Sequence, residues 1–269
     1  MIVAVRPLVA VRRAAPFDPD FLEGSGLFWP LRRAGDALGR SEDFPTVQAL
    51  NRVFQRDAPV RFVPAAPRRR RGHAVDLRQL YDARVTLDGE VPTRRNCWHD
   101  FMNALVWGTF PRAKRALHAR QHRAIARRVA PGDRTLPTHR SRELDALALL
   151  DEGGVAVLAR HPEQMRLQLR MPGKGALRSH IASGNAHAVV FGHAIYESLA
   201  LGVTPAVVGA VVLEHDPAEA DVVRAADGRL MQAIEDVATL RSPTELVRVD
   251  LGEAEFASRG TGPERPWGT

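Results

Sequence analysis

The stretch NCWHDFMNALVWGTFPRAKRALHARQHRAIARR, residues 96–128, predicts two consecutive helices that meet at a proline. In the first helix the apolar side chains recur at helical spacing and share one face, which is typical of a helix packed on a core. That face consists of Trp98, Phe101, Met102, Leu105 and Val106. Asn96 is positioned to cap the first helix, and Pro111 suits the first turn of the second. The pair predicts a fold in which helices dominate.

Four segments on either side of this helix pair predict strands. They are VRFVP (60–64), YDARVTLDGEVP (81–92) with a turn at Asp88-Gly89, PAVVGAVVLEH (205–215) and TELVRVDL (244–251). β-Branched and aromatic residues are enriched in strands, and an Asp-Gly pair is typical of tight turns. SRELDALALLDEGGVAVL, residues 141–158, predicts a helix capped by Ser141, a turn at Gly153-Gly154 and a buried strand.

Further helices are predicted at 46–56, at 180–201 and at 217–240, the last beginning at Pro217. The sum predicts an α+β fold: a helix-dominated single domain with a small mixed or antiparallel sheet. We expect this domain to cover residues 46–255. Residues 1–45 predict an irregular segment because prolines and glycines interrupt it, and residues 256–269 predict a disordered tail. The stretch 131–139 reads as a linker and is a weak candidate for a boundary.

The composition is that of a globular protein, with 45% hydrophobic and 26% charged residues. No run of the 269 residues approaches the ~18 consecutive apolar residues of a membrane span, so we expect no membrane partner. Cys97 is the single cysteine, which excludes an intramolecular disulfide. The reducing cytoplasm is therefore the expected location.

The formal net charge is +7, and it is unevenly distributed along the chain. Residues 1–142 carry 27 basic and 13 acidic side chains, whereas residues 143–269 carry 11 and 18. Three interpretations stay open. The basic side chains could neutralise nucleic-acid phosphates. Arginine could simply replace lysine on solvated faces, as in a chain from a GC-rich genome, or the basic half could dock on the acidic half.

The opposite face of the helix over 96–107 carries short polar side chains instead of the long charged ones of a solvated face. His99, Asp100 and Asn103 lie within about one turn of each other, and Trp107 follows as a wall. Such a set suits a metal site or general acid–base chemistry. A buried hydrogen-bond network that holds two helices together is the alternative.

The stretch NAHAVVFGHAIYESLALG, residues 185–202, is apolar on nearly every side and predicts a helix buried in the core. His193 and Glu197 are four residues apart and share one face of this helix. A buried carboxylate is costly unless it is paired or coordinated, so the two side chains predict metal chelation or a His–Glu pair. Gly192 indicates that another backbone approaches closely at this point.

Acidic side chains near the end of the helix over 141–153 are the third candidate. Asp145 lies inside an apolar run, whereas Asp151 and Glu152 precede the glycine pair and are interpreted as turn residues. The sequence contains no phosphate-binding P-loop, no serine-hydrolase elbow and no Cys-x-x-Cys motif. These absences exclude the commonest nucleotide, serine-hydrolase and thiol-redox sites.

The block YDARVTLDGEVPTRRNCWHDFMNALVWGTFPRAKRALHARQ, residues 81–121, resembles an uncharacterised bacterial family, domain of unknown function 3025. RELDALALLDEGG (142–154) and VVFGHAIYESL (189–199) fit the same pattern in the same order. His118 departs from it, since a typical member has an asparagine there. The resemblance implies a bacterial, cytoplasmic, single-domain protein, and the family supplies no activity. Its pattern includes His99, Asp100, Asn103, Lys114, His193 and Glu197.

These observations predict an enzyme, a metal-dependent hydrolase that acts on an anionic substrate such as a phosphoester, with a divalent metal ion as cofactor. The expected metal ligands are His99, Asp100, His193 and Glu197. The expected catalytic residues are His99, Asp100, Asn103 and Glu197. The expected substrate-binding residues are Arg94, Arg95, Lys114 and Trp107, since arginine and lysine bind anionic groups.

Two other functions stay open. The Arg-rich helix 112–128 and the basic loop 67–73 could bind nucleic acid, or the polar clusters could be networks in a structural or interaction protein. The geometry separates these hypotheses, because a site requires His99 and Asp100 to lie within a few ångström of His193 and Glu197.

Overall fold

The structure is a computed structural model that describes residues 15–54, 58–66, 76–130, 133, 136–137, 139–171, 175–216 and 219–252. The basic loop 67–73, the tail 256–269 and most of the linker 131–139 lie outside the described residues, and so do residues 1–14 of the N-terminal segment.

Helices and strands alternate along most of the described chain. The helices are α1 (Arg32–Leu38), α2 (Val47–Phe54), α3 (Tyr81–Ala83), α4 (Trp98–Thr109), α5 (Pro111–Ala126), α6 (Arg142–Gly153), α7 (Pro162–Arg170), α8 (Ala176–Ala182), α9 (His193–Ala200) and α10 (Val222–Glu235). The strands are β1 (Arg61–Pro64), β2 (Glu90–Thr93), β3 (Gly154–Ala159), β4 (Ala186–Val190), β5 (Val207–Glu214) and β6 (Val247–Asp250).

The main sheet has four strands in the order β4-β3-β5-β6. β3 runs parallel to β5, while β4 and β6 are antiparallel to their neighbours. The register places Ala156 of β3 opposite Val189 of β4 and Val211 of β5. β1 and β2 form a separate parallel pair. The prediction of a helix-dominated α+β domain with a small mixed sheet is confirmed.

The centre of the fold is β3, in which every residue is buried. A strand with neighbours on both edges and helices packed against it reads as a continuous apolar run, which is why GVAVLA lacks polar alternation. The predicted apolar face of α4 is also buried. Trp98 and Phe101 on that face pack against the rings of Phe17 and Phe21. The N-terminal segment therefore covers the face of α4 that lies away from His99.

The prediction of a strand over residues 81–92 is wrong for most of its length. α3 continues as a π-helical stretch over Arg84–Asp88, and only β2 after it is extended. Gly89 has a φ of 63° and ends the helical segment, so the Asp-Gly pair is a helix end and not a hairpin turn. The helical form buries Ala83 and Val85, and Tyr81 packs edge-on against a ring of α5.

The prediction of one continuous helix over 180–201 is also wrong. α8 ends before Gly184, which has a φ of 72°, and residues Ala186–Val190 form β4 at the edge of the sheet. α9 then begins at His193. A segment that is apolar on every side has the same pattern in a buried helix and a buried strand, so periodicity alone does not separate them.

Three helix starts test the capping predictions. Ser141 accepts a hydrogen bond from the Leu144 amide, and Pro111 occupies the first position of α5, as predicted. Asn96 does not cap α4: Cys97 holds that position, and Asn96 has a φ of 49°. α10 begins after Asp221, whose side chain accepts from the Arg224 amide, and the predicted start at Pro217 lies outside the described residues.

Within the described part of the chain, every helix is too short or too polar to cross a membrane. α5 was predicted to be basic on most faces, and two of its basic side chains point inward. Lys114 is fully buried and Arg120 is 1% exposed, and each is paired with a carboxylate of α6. The helix is thus an internal element of the fold.

Candidate functional site

Three helix ends converge on one cluster of possible metal ligands. His99 lies in the first turn of α4, His193 is the first residue of α9, and Glu152 lies in the last turn of α6. The Nε2 atoms of the two histidines are 3.1 Å apart, and the Oε2 of Glu152 is 3.6 Å from His193 Nε2. One donor atom from each residue lies within 4.8 Å of the other two. Among the described residues this is the single cluster of that kind.

Gly192 permits this convergence because the start of α9 packs directly on the end of α6. A Cβ at Gly192 would lie 2.5 Å from the Gly154 amide nitrogen and 2.6 Å from the Glu152 carbonyl oxygen. The amides of Phe191 and Gly192 both donate to the Gly154 carbonyl. The close backbone approach predicted at Gly192 is present, and it places His193 beside Glu152.

Oxygen acceptors orient both imidazole rings. His193 Nδ1 lies 2.8 Å from the carbonyl oxygen of Asp151, and His99 Nδ1 lies 2.9 Å from Glu197 Oε2. A carbonyl or carboxylate oxygen only accepts, so each Nδ1 carries the proton and donates it. When both rings are neutral, their lone pairs are therefore on the two Nε2 atoms that face each other. This arrangement is typical of metal-ligating histidines, whose second nitrogen donates to an outer partner.

The electrostatic surroundings differ for the two rings. Burial lowers the pKa of His193 well below its usual range; the Asp151 carboxylate opposes this shift, and the positive charge of Lys114 adds to it. Burial also opposes a proton on His99, but the hydrogen bond to Glu197 and the charge of Glu152 outweigh it, and the pKa of His99 is raised. His193 is thus neutral and ready to act as a ligand, whereas a proton competes for His99.

A second layer of charges lies behind the ligands. Lys114 Nζ is 2.5 Å from Asp151 Oδ1, and the same carboxylate oxygen is 3.7 Å from His193 Nδ1. Burial would raise the pKa of Asp151, but the charge and the hydrogen bond of Lys114 hold it well below its usual range. Burial and the neighbouring Asp151 raise the pKa of Glu152. Glu152 and His99 are the more exposed ligands and form the outer side of the cluster.

A family profile described as "Protein of unknown function (DUF3025)" matches residues 61–251 of the chain. The chain belongs to this family. The match spans the whole cluster, from α4 through α6 to α9. No curated protein and no solved structure matches the chain.

In this DUF3025 protein the structure brings together three of the four sequence-predicted metal ligands. His99, His193 and Glu197 meet, with Glu197 behind His99 and not beside both Nε2 atoms. The Asp100 side chain is not part of this cluster. Its carboxylate accepts from the backbone amide of Arg94 at 2.6 Å and from two nitrogens of the Arg94 guanidinium.

The other predicted site residues lie around the cluster without touching its ligand atoms. Asn103 donates to the Tyr81 hydroxyl at 2.9 Å. Trp107 is fully buried and stacks on His118, and Lys114 Nζ lies 5.7 Å from the Trp107 ring centre. These side chains form the packed interior behind the site. Arg95 lies in the exposed turn before α4.

Asp151 and Glu152, predicted to be turn residues, lie instead in the last turn of α6 and belong to the cluster and its surroundings. A signal was present, because carboxylates in the last turn of a helix oppose the negative end of the helix dipole. Two of them in succession before a buried strand indicate a compensating positive partner. By contrast, Asp145 lies in the first turn of α6, where a carboxylate is favourable, and it takes no part in the cluster.

Proposed function

We propose that this protein is a metal-dependent hydrolase whose divalent ion is bound by His99, His193 and Glu152. The observation that carries the proposal is the pair of Nε2 atoms, 3.1 Å apart, on rings whose protons are held on Nδ1. Two lone pairs at this distance repel each other unless a cation or a proton lies between them. A metal ion satisfies both nitrogens and the adjacent carboxylate at once.

The distances support a single small ion. Tetrahedral Zn²⁺ with Zn–N bonds of about 2.05 Å places two ligand nitrogens about 3.3 Å apart. The observed separations are 3.1 Å between the histidines and 3.6 Å from His193 to Glu152. Two histidines and one carboxylate also suit non-haem Fe²⁺, so the donor set limits the metal to a few first-row ions.

The local charge supports a divalent cation. Asp100 is paired with Arg94, and Asp151 is paired with Lys114. Glu152 and Glu197 face the histidines, and among the described residues neither has an arginine or lysine partner within salt-bridge distance. The cluster thus carries about two uncompensated negative charges when both histidines are neutral, and a divalent ion would balance them.

Three protein ligands leave a coordination position open, which distinguishes catalytic zinc sites from structural ones. When bound, such a metal lowers the pKa of its water to about 7 and polarises a substrate oxygen. The chain's own residues prepare the site for this. Glu197 and the Asp151 carbonyl fix the rings of His99 and His193, and the half-exposed Glu152 lies on the solvent side of the cluster.

An anionic substrate is part of the proposal. Arg95 lies in the exposed turn that leads into α4, and the N-terminal ends of α4 and α9, which favour negative charge, are at the cluster. Arg94 and Lys114 give less support to an anionic substrate than the sequence predicted, because both form salt bridges with carboxylates. A phosphoester or carboxylate ester is the class to screen first.

Metal analysis of protein purified without chelator tests the proposal. We expect close to one equivalent of Zn²⁺, Mn²⁺ or Fe²⁺ after reconstitution, and loss of that ion in His193→Ala and Glu152→Gln. Chromogenic phosphoesters and carboxylate esters are then assayed with loaded, chelated and His193→Ala protein. Less than a few tenths of an equivalent in wild type would leave the cluster as a hydrogen-bonded network.

The nucleic-acid alternative has less support, because Lys114 and Arg120 of the basic helix are buried in ion pairs. In the structural alternative a proton on His99 Nε2 is donated to His193 Nε2, and the metal analysis separates this network from a metal site. A cytoplasmic location, suggested by the single cysteine, is part of the same proposal.

A further inference from the structure

Lys114 is unusual among the described residues, because it is a lysine with no exposed surface. Removing an ammonium group from water costs several kcal/mol. Its Nζ lies 2.5 Å from Asp151 Oδ1 and 5.7 Å from the centre of the Trp107 ring. Replacing a buried ion pair with apolar residues is often neutral or stabilising, so stability alone does not explain this pair.

Asp151 connects this ion pair to two of the three proposed ligands. Its carbonyl oxygen accepts the Nδ1 proton of His193 at 2.8 Å, and its carboxylate lies 3.7 Å from the same nitrogen. The next residue along the chain is Glu152. Fixing the side chain of Asp151 therefore fixes both the ring of His193 and the position from which Glu152 reaches inward.

We propose that Lys114 and Asp151 are positioning residues, which hold His193 and Glu152 in the geometry that binds the metal. This inference rests on the metal site proposed above. Lys114 holds the last turn of α6 from the side of α5. Metal affinity depends on this contact although neither residue is a ligand, because second partners of metal ligands set their orientation.

A second buried ion pair joins the same two helices and separates positioning from packing. Arg120 of α5 bonds Glu143 of α6 at 2.8 Å, in the first turn of α6, at the opposite end from Asp151. Arg120 also donates to three backbone carbonyls, one in the last turn of α10 at Ile234 and two after it at Asp236 and Thr239. This pair ties the helices together at the end of α6 that lies away from the cluster. It is the matched control for Lys114.

The first experiment measures Co²⁺ affinity by competition with a chromophoric chelator, together with the visible spectrum of bound Co²⁺. We expect Lys114→Met to weaken binding about 10–100-fold and to change the spectrum. Arg120→Met is expected to lower the unfolding midpoint and to keep the wild-type affinity and spectrum. Equal affinity in wild type and Lys114→Met overturns the proposal.

A double variant distinguishes a specific loss of metal affinity from a general loss of folding. Lys114→Met with Asp151→Leu leaves no uncompensated buried charge, so we expect it to regain most of the stability lost in Lys114→Met. Its Co²⁺ affinity is expected to stay about 10-fold or more below wild type. Recovery of both stability and affinity would show that the pair only packs, and would overturn the proposal.

A metal-free measurement separates this proposal from the proposed function. Ring ¹⁵N spectra of His193 are expected to show one tautomer in wild type, protonated on Nδ1, and both tautomers in Lys114→Met. An unchanged tautomer in Lys114→Met overturns the positioning role even if wild type binds metal. A wild type that binds no metal overturns the proposed function, and the tautomer comparison still decides the role of the pair.

Discussion

At this cluster the role of a carboxylate depends on which histidine nitrogen it contacts. Glu197 and Glu152 are both carboxylates at the same cluster, but Glu197 accepts the Nδ1 proton of His99 while Glu152 approaches Nε2 of His193. Only the second arrangement leaves an oxygen beside both histidine lone pairs. The first gives His99 a raised pKa and therefore a competing proton.

Metal binding is expected to weaken as the pH falls, because the proton on His99 must leave before Nε2 can act as a ligand. Since the pKa of His99 is raised, this loss begins at a higher pH than for an ordinary histidine. Glu197→Gln removes the charge that favours the proton, so the midpoint of the loss should move to lower pH. Co²⁺ affinity measured from about pH 5 to about pH 8 checks the shift.

Glu143→Gln is the control for this prediction, because Glu143 pairs with Arg120 and Arg127 and not with the cluster. It should leave the midpoint unchanged. A midpoint that does not move in Glu197→Gln would show that Glu197 does not set the proton affinity of His99.

The ends of helices matter more to this site than their middles. α6 delivers Glu152 from its last turn, while α4 and α9 deliver their histidines from their first turns. The junction between α6 and β3 touches the start of α9 at Gly192, where a side chain has no space. The spacing between the end of α6 and the start of α9 is therefore set by backbone contact.

Gly192→Ala is expected to destabilise the protein by about 1–3 kcal/mol, because the added Cβ overlaps rigid backbone atoms of Glu152 and Gly154. Gly153→Ala is the matched control, since a Cβ there meets nothing within 4 Å. It should change the free energy of unfolding by less than about 1 kcal/mol. Urea unfolding measures both, and equal losses in the two variants would contradict the close approach.

The N-terminal cap of α6 gives a second prediction about a helix end. Ser141→Ala removes the acceptor of the Leu144 amide and is expected to cost about 1 kcal/mol. Ser141→Asp keeps an acceptor and adds a charge that favours the helix N-terminus, so it should retain stability. Denaturant midpoints compare the two, and equal midpoints would exclude a capping role.

Across the entire fold, part of the basic half of the chain docks on the acidic half. Lys114 pairs with Asp151, and Arg120 and Arg127 pair with Glu143, all between α5 and α6. These contacts support the interpretation in which the basic half of the chain docks on the acidic half, because these cations form ion pairs within the protein. The same pairing brings α5 against the helix that supplies Glu152.

A ligand that binds only the folded chain stabilises all of it. At about 100 times its Kd, a divalent ion should add about 2.7 kcal/mol and raise Tm by about 5–11 °C for a chain of this size. His193→Ala should lose this shift while it still unfolds cooperatively. Thermal unfolding with and without Zn²⁺ measures it, and an equal shift in His193→Ala would place the ion elsewhere.

Periodicity in the sequence was enough to locate the helix pair α4 and α5, the buried strand β3, and the strands near 207–214 and 247–250. It also singled out His99, His193 and Glu197, because polar side chains on apolar helices are conspicuous without any knowledge of contacts. These features are local. They follow directly from side chains that recur every 3.6 residues in a helix and every 2 residues in a strand.

The other features of the fold and the site depend on packing between residues that are far apart along the chain. Residues 84–88 are helical and Ala186–Val190 form a strand because of their neighbours in space, which leave no trace in the local sequence pattern. Asp100 is paired with Arg94, and Glu152 instead lies beside the histidines. The sequence shows which side chains can coordinate a metal. Which of them meet depends on contacts between residues that are far apart along the chain.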